Sequence, residues 1–262
     1  KIAAVSNFFA KKQGYSTTLH TDEDGYKLLK NIEYSNVEIF KNSELNGIPK
    51  QFWPGAKFVT WTKMKSAFMH IDLDLFILNN SFEKNLAGKD LFYFHDEPWI
   101  ENIYSNILLE ILDLSKHNFN TRLIGDFPCR NVAMFGTYTQ NGVDTINKYS
   151  NKMLEFLKKN KNLFDINTKD NIYSIFYKYQ KLNVFEFMVC VALEQMLFTS
   201  LIINELNNKN ANTTYIHDHK MGNPDIIGEE ILKDKKILHL WGKKGGAGML
   251  VDMLCESFNI KY

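Results

Sequence analysis

Phe68-Met69-His70-Ile71-Asp72-Leu73-Asp74-Leu75-Phe76-Ile77 joins two kinds of sequence that conflict within a strand. Phe68 to Ile71 reads as a buried strand, and Leu75 to Ile77 resumes the apolar run. Between them stand two carboxylates one residue apart, where an uncompensated charge is expensive to bury. Such acids need a counter-ion, water or a metal. Asp-x-Asp sets one carboxylate at the strand terminus and the next just beyond it, where the chain turns. The carboxyl edge of an open α/β sheet is where ligands collect. Oxygen ligands of this kind suit a hard divalent cation that also holds a phosphate, magnesium or manganese. The motif is short, and a lone Asp-x-Asp serves equally well as a helix cap or a solvated strand end. The apolar residues on both flanks tip the balance toward a site.

Upstream of this stretch, Ala56 to Ala67 predicts a helix that delivers the chain into the Phe68 strand. Ile2, Val5, Phe8 and Phe9 recur at helical spacing and end at Gly14, a C-cap signal. Ser16 to His20 reads as a short strand, Asp22 to Ile32 as a helix and Val37 to Phe40 as a strand. Downstream, Leu91 to Phe94 is strand-like and Pro98 to Ser115 helical. Asn131 to Phe135 predicts a strand ending at Gly136, followed by an amphipathic helix to about Leu157. Asp170 to Leu206 reads as helical, and Thr213 to His217 and Lys236 to Trp241 as late strands. Helix and strand in alternation imply an α/β fold: a mixed, mainly parallel sheet flanked by helices.

Length and composition fit one large domain over 1–262 with a helical elaboration around 165–208, since no Pro/Gly/Ser-rich linker divides the chain. The first segment is already helical, so a first strand is expected upstream of residue 1. Hydrophobic content of 45% supplies a core and argues against disorder. A net charge of +1 with scattered lysines gives no case for nucleic-acid binding. Cys129, Cys190 and Cys255 have no ligand spacing and read as buried reduced thiols of a reducing, cytoplasmic compartment. Val184 to Leu201 is broken by Glu186 and Glu194-Gln195, which argues against an integral membrane span.

A second constellation closes the chain: His239-Leu240-Trp241-Gly242-Lys243-Lys244-Gly245-Gly246 at the end of a late strand. Histidine is a common divalent-metal ligand and lysine a phosphate partner. The glycines let backbone approach a pyrophosphate closely. Alone, the segment is most simply a core-edge histidine before a glycine turn. Beside the aspartate pair it gains a purpose.

These motifs in their order, with Asn131-Val132-Ala133-Met134-Phe135-Gly136 and Glu194-Gln195 between them, resemble bacterial nucleotide-diphospho-sugar transferases of the GT-A fold. The similarity is distant, toward the glycogenin and galactosyltransferase group, and covers roughly Leu19 to Gly246. The resemblance implies a GT-A (Rossmann-like) fold in which Asp72, Asp74 and His239 hold Mn2+ or Mg2+. It implies a nucleotide-sugar donor, a UDP-hexose, and a glycan or other hydroxyl acceptor, with retention of anomeric configuration. Lys243 or Lys244 would neutralise the departing diphosphate, and Asp22 would sit near the nucleobase or ribose. Lys63 would meet the donor sugar or a phosphate, Asn131 would line the sugar pocket, and Glu194 and Gln195 would face the reacting carbon or the acceptor.

Two other readings compete. His217-Asp218-His219 and His95-Asp96-Glu97 end strand-like runs, and with Asp72 and Asp74 they could build a metal-dependent hydrolase or phosphoesterase. That reading leaves His239 to Lys244 without a role. A non-catalytic nucleotide-sugar-binding module would keep the fold and lack turnover. Glu194 has a bland alternative as a buried structural hydrogen-bonder, and Lys63 as a solvated helix lysine.

Overall fold

Three consecutive side chains, Leu75, Phe76 and Ile77, are 0% exposed, and they form one of the shortest strands of the molecule. The computed structural model describes residues 1–97, 108–109, 129–164, 182–207, 212–215, 237–240 and 244–262. Their strands are β1 (Thr18–Thr21), β2 (Asn36–Ile39), β3 (Phe68–Ile71), β4 (Leu75–Ile77), β5 (Leu91–Asp96), β6 (Arg130–Thr137), β7 (Thr213–Tyr215) and β8 (Ile237–His239). The longer helices are α1 (Ile2–Lys12), α2 (Glu23–Leu29), α3 (Gly55–Trp61), α4 (Gln140–Lys159), α5 (Leu182–Val191), α6 (Thr199–Asn207) and α7 (Lys244–Phe258). A π-helical segment, Ala192–Phe198, joins α5 to α6. Apart from residues 108–109, which are helical, the helix expected over Pro98 to Ser115 lies outside the described residues, as does the first part of the elaboration at 165–208.

The chain is α/β, as its alternation predicts, but its sheets are small and mixed. The strands group as β1-β2, β3-β6-β5-β7 and β4-β8. β1–β2 and β5–β7 are parallel, whereas β4–β8 and β5–β6 are antiparallel. Two of these pairs are parallel and two antiparallel, so the sheets are mixed. Antiparallel neighbours need no helical crossover, and that relation is invisible to a reading of alternation alone.

The described residues fall into two compact units, each assembled from separated segments. One is drawn from Lys1–Asn42, His70–Ala87 and Asp218–Tyr262, the other from Ser43–Met69 and Gly88–His217. In the first, α1 and α7 enclose Phe76 of β4 and Leu238 of β8 with Val5, Phe9, Val251 and Leu254. The buried Ser6 hydroxyl donates to the Leu75 carbonyl at 2.7 Å, so α1 is tied to β4 by a polar bond inside an apolar contact. Gly14, at φ +90°, ends α1 as expected, and only glycine adopts that backbone without strain.

The second unit has an aromatic core. Trp61 stacks on Phe198 at 5.1 Å between centroids, while Phe58 and Phe135 meet the same pair edge-on or tilted. All eight residues of β6 are buried. Gly136 of β6 is required: a Cβ there would collide with the Phe68 carbonyl and the Phe92 ring. α4 begins where the Thr139 hydroxyl accepts from Gly142 N at 3.1 Å, and its last turn carries the exposed Lys158 and Lys159 expected of a solvated end. The helical run Glu186–Asn207 is long and apolar enough to cross a membrane, and 78% of its apolar window is buried within the protein.

Two expectations at the opening stretch change. β3 is half-buried rather than buried, and β4 is the strand the core encloses. α3 ends at Trp61 instead of reaching Ala67, because beyond it Thr62, Lys63, Lys65 and Ser66 offer no apolar face to pack.

Candidate metal centre

The aspartate pair sits in a tight turn between a half-buried and a fully buried strand. Leu75 N donates to the Asp72 carbonyl at 3.0 Å, closing a four-residue turn with Leu73 exposed at its tip. The apolar sequence after the acids is thus the anchor of the turn: β4 enters the core and holds Asp74 at its rim.

Pairing of β4 with β8 brings the third residue in. The antiparallel register sets Leu75 opposite His239, and Leu240 N donates to the Asp74 carbonyl at 2.9 Å. His239 is therefore fixed beside Asp74 by ladder bonds on both sides. Donor atoms of Asp72, Asp74 and His239 all lie within 4.8 Å of one another. Side-chain exposures of 25% for Asp72, 19% for Asp74 and 12% for His239 leave them reachable from solvent.

The distances separate two kinds of contact. His239 Nε2 stands 3.6 Å from Asp74 Oδ1, beyond a good hydrogen bond. Two donors each about 2.1 Å from a common ion stand roughly 3–4 Å apart, so this spacing suits ligands flanking a cation. His70 Nε2 lies 3.2 Å from Asp72 Oδ1, within hydrogen-bonding range. Two carboxylate oxygens and one imidazole nitrogen are a donor set for a divalent first-row cation, with manganese and magnesium both admitted by the oxygens. These three donors could hold a divalent cation.

Other expected site residues have different surroundings. Asp22, in the same unit, caps α2: its Oδ1 accepts from Gly25 N at 2.7 Å. Lys63 lies beyond the end of α3 rather than on it, and its ammonium pairs with Glu44. Asn131 is buried; its Nδ2 donates to Glu97 Oε1 at 2.6 Å and its Oδ1 accepts from Ala133 N at 2.9 Å. Glu194 is fully buried in the π-helical segment, with Lys57 Nζ 2.9 Å from its Oε1. Gln195, partly exposed, accepts from Cys129 Sγ at 3.5 Å. The Thr199 hydroxyl donates to the Gln195 carbonyl at 2.7 Å, a side-chain bond inserted into the helical ladder where its period widens. Lys63, Asn131, Glu194 and Gln195 all belong to the second unit. Lys244 opens α7, while Lys243, His217 and His219 lie outside the described residues.

Three contacts escaped the sequence reading. Lys57 as the partner of Glu194 and Glu97 as the partner of Asn131 have no local signal. The His70–Asp72 contact has one, since residues two apart on an extended chain share a face. Cys190 is buried, and burial and the nearby Glu194 push its thiol up from its ordinary value, so it is no ready nucleophile.

No curated protein and no solved structure matches this chain. A family model matches residues 4–262, nearly the whole length, and its description is a family of unknown function (DUF6734). The chain belongs to that family.

Proposed function

We propose that this protein is a metal-dependent glycosyltransferase of the GT-A type, moving a hexose from a nucleotide-diphosphate sugar to a hydroxyl acceptor. The observation that carries the reading is the convergence of Asp72 and Asp74 with His239, from a distant part of the sequence, on one partly exposed spot. The order of motifs along the chain adds support. The preference for a UDP-hexose, the glycan nature of the acceptor and retention at the anomeric carbon rest on the resemblance.

In this reading Asp72, Asp74 and His239 hold Mn2+ or Mg2+, which when bound neutralises charge on the donor's diphosphate. Lys243 or Lys244 follows His239 closely in sequence and adds positive charge toward the same leaving group. Asp22 keeps its cap on α2 and offers its second oxygen to the ribose. Gln195 is partly exposed where Glu194 is buried, and its part in the reaction rests on the resemblance alone. Glu194, paired with Lys57, and Asn131, bonded to Glu97, are buried and serve the fold rather than the donor.

The reading is tested by thermal shift with UDP, with and without Mn2+. UDP is expected to stabilise the protein only when Mn2+ is present, and Asp72→Ala and Asp74→Ala are expected to remove that stabilisation. UDP stabilisation that needs no metal, or that survives both substitutions, would overturn the assignment. Release of UDP from a UDP-hexose then separates an enzyme from a binding module.

A further inference from the structure

We infer that His70 is a positioning residue of the Asp72–Asp74–His239 centre, holding the Asp72 carboxylate in the orientation that a cation requires. The inference rests on the metal site proposed above and adds a residue to it. His70 lies on β3, whose backbone is held as a strand, whereas Asp72 begins the turn that follows. His70 Nε2 stands 3.2 Å from Asp72 Oδ1, and a carboxylate can only accept, so Nε2 carries the hydrogen.

Distance and chemistry both assign it this part rather than a ligand's. The atoms that lie mutually within 4.8 Å are those of Asp72, Asp74 and His239, and His70 does not complete that set. One Asp72 oxygen engaged by an N–H arrests rotation of the carboxylate and leaves its remaining lone pairs for a cation. Hydrogen bonds of this kind to ligating carboxylates tune affinity by roughly 10–100-fold. An imidazole N–H supplies the bond without the permanent charge of lysine or arginine, which would compete with the cation for the same carboxylate. Asp72 and His70 are one-quarter exposed or less, so water replaces the bond poorly.

The test is direct titration with Mn2+, free ion read by electron paramagnetic resonance, on the whole chain and its His70→Ala, His70→Gln and His239→Ala variants. His70→Ala is expected to weaken Mn2+ binding by roughly 10–100-fold, with the melting temperature of the metal-free protein unchanged. His70→Gln, whose amide N–H reaches about as far as Nε2, is expected to recover most of the affinity. Pulsed spectra of bound Mn2+ should keep their imidazole nitrogen coupling in His70→Ala and lose it in His239→Ala. Wild-type affinity in His70→Ala would overturn the inference. So would loss of nitrogen coupling in that variant, which would make His70 a ligand, or a fall in metal-free stability that glutamine fails to rescue. If the wild-type chain binds no Mn2+, the metal site itself fails, and this inference with it.

Discussion

The two units treat their carboxylates in opposite ways. Asp72 and Asp74 are a quarter exposed or less, crowd each other and are flanked by the imidazoles of His70 and His239. Glu97 and Glu194 are buried, and each meets a dedicated partner, the Asn131 amide or the Lys57 ammonium. A buried carboxylate with its own polar partner is compensated within the fold. Two adjacent carboxylates that share a solvent-facing turn with imidazoles are satisfied best by a cation. The comparison gives the buried pair a structural part and leaves the more exposed pair to the metal site proposed above.

Glu194→Ala attacks the stability side hardest. It leaves Lys57, 13% exposed, without its carboxylate, and is expected to cost about 3–5 kcal/mol in urea unfolding. The double variant Lys57→Met/Glu194→Leu should recover most of that loss, since apolar replacement of a buried ion pair is often neutral. Mn2+ affinity should not move in either protein. A variant that folds normally but loses Mn2+ would break the contrast.

Asp74→Ala is the reciprocal experiment. Mn2+ affinity by calorimetry should fall by about 100-fold or more, about 2.8 kcal/mol at 1.4 kcal/mol per decade. Metal-free stability should stay within about 0.5 kcal/mol, as for substitutions away from buried networks. A large loss of metal-free stability would place Asp74 with the structural acids.

Asn131→Ala is expected to be milder than Glu194→Ala. It strips one donor from the buried Glu97 and should cost about 1–3 kcal/mol in the same urea assay, again with Mn2+ binding intact. Equal losses for the two variants would mean that ion pairing adds nothing to hydrogen bonding here.

The smallest expected effect is at alkaline pH and appears in both units. Burial pushes the Tyr34 phenol up to about 12 from an ordinary value near 10. Burial and the neighbouring Glu205 do the same to Tyr149, whose hydroxyl donates to that carboxylate at 3.1 Å. A raised folded-state value favours the neutral phenol, so this contribution is complete below about pH 10. It is lost as pH rises from there through about 12. Melting temperature should fall across that window, and Tyr34→Phe or Tyr149→Phe should flatten the fall. Unchanged pH profiles in both variants would remove the phenols as its source.

What could be read in advance followed from local physics. Short, largely apolar runs found β3, β5 and β6, the helical spacing of Ile2, Val5 and Phe9 found α1, and Gly14 ended it. Asp72 and Asp74 stood out because charge between apolar flanks demands compensation. His239 was singled out as a ligand type, but nothing in its own surroundings placed it beside Asp74. That placement came from the β4–β8 register, a long-range pairing. The partners of Glu194 and Asn131 were likewise unreadable, because each lies far away in sequence.

The sequence by itself determined the α/β alternation, most strand positions and the acidic turn, since these depend on side-chain periodicity and on the cost of charge near apolar runs. Only the tertiary structure decided which strand was buried, which carboxylates were already paired and which histidine met which aspartate. Those are contacts between residues that share no local pattern, fixed by strand pairing and core packing. The residues from Phe68 to Ile77 show the division plainly. Their letters named the acids, and the burial of Leu75 to Ile77 against α1, with the ladder to β8, set Asp74 beside His239.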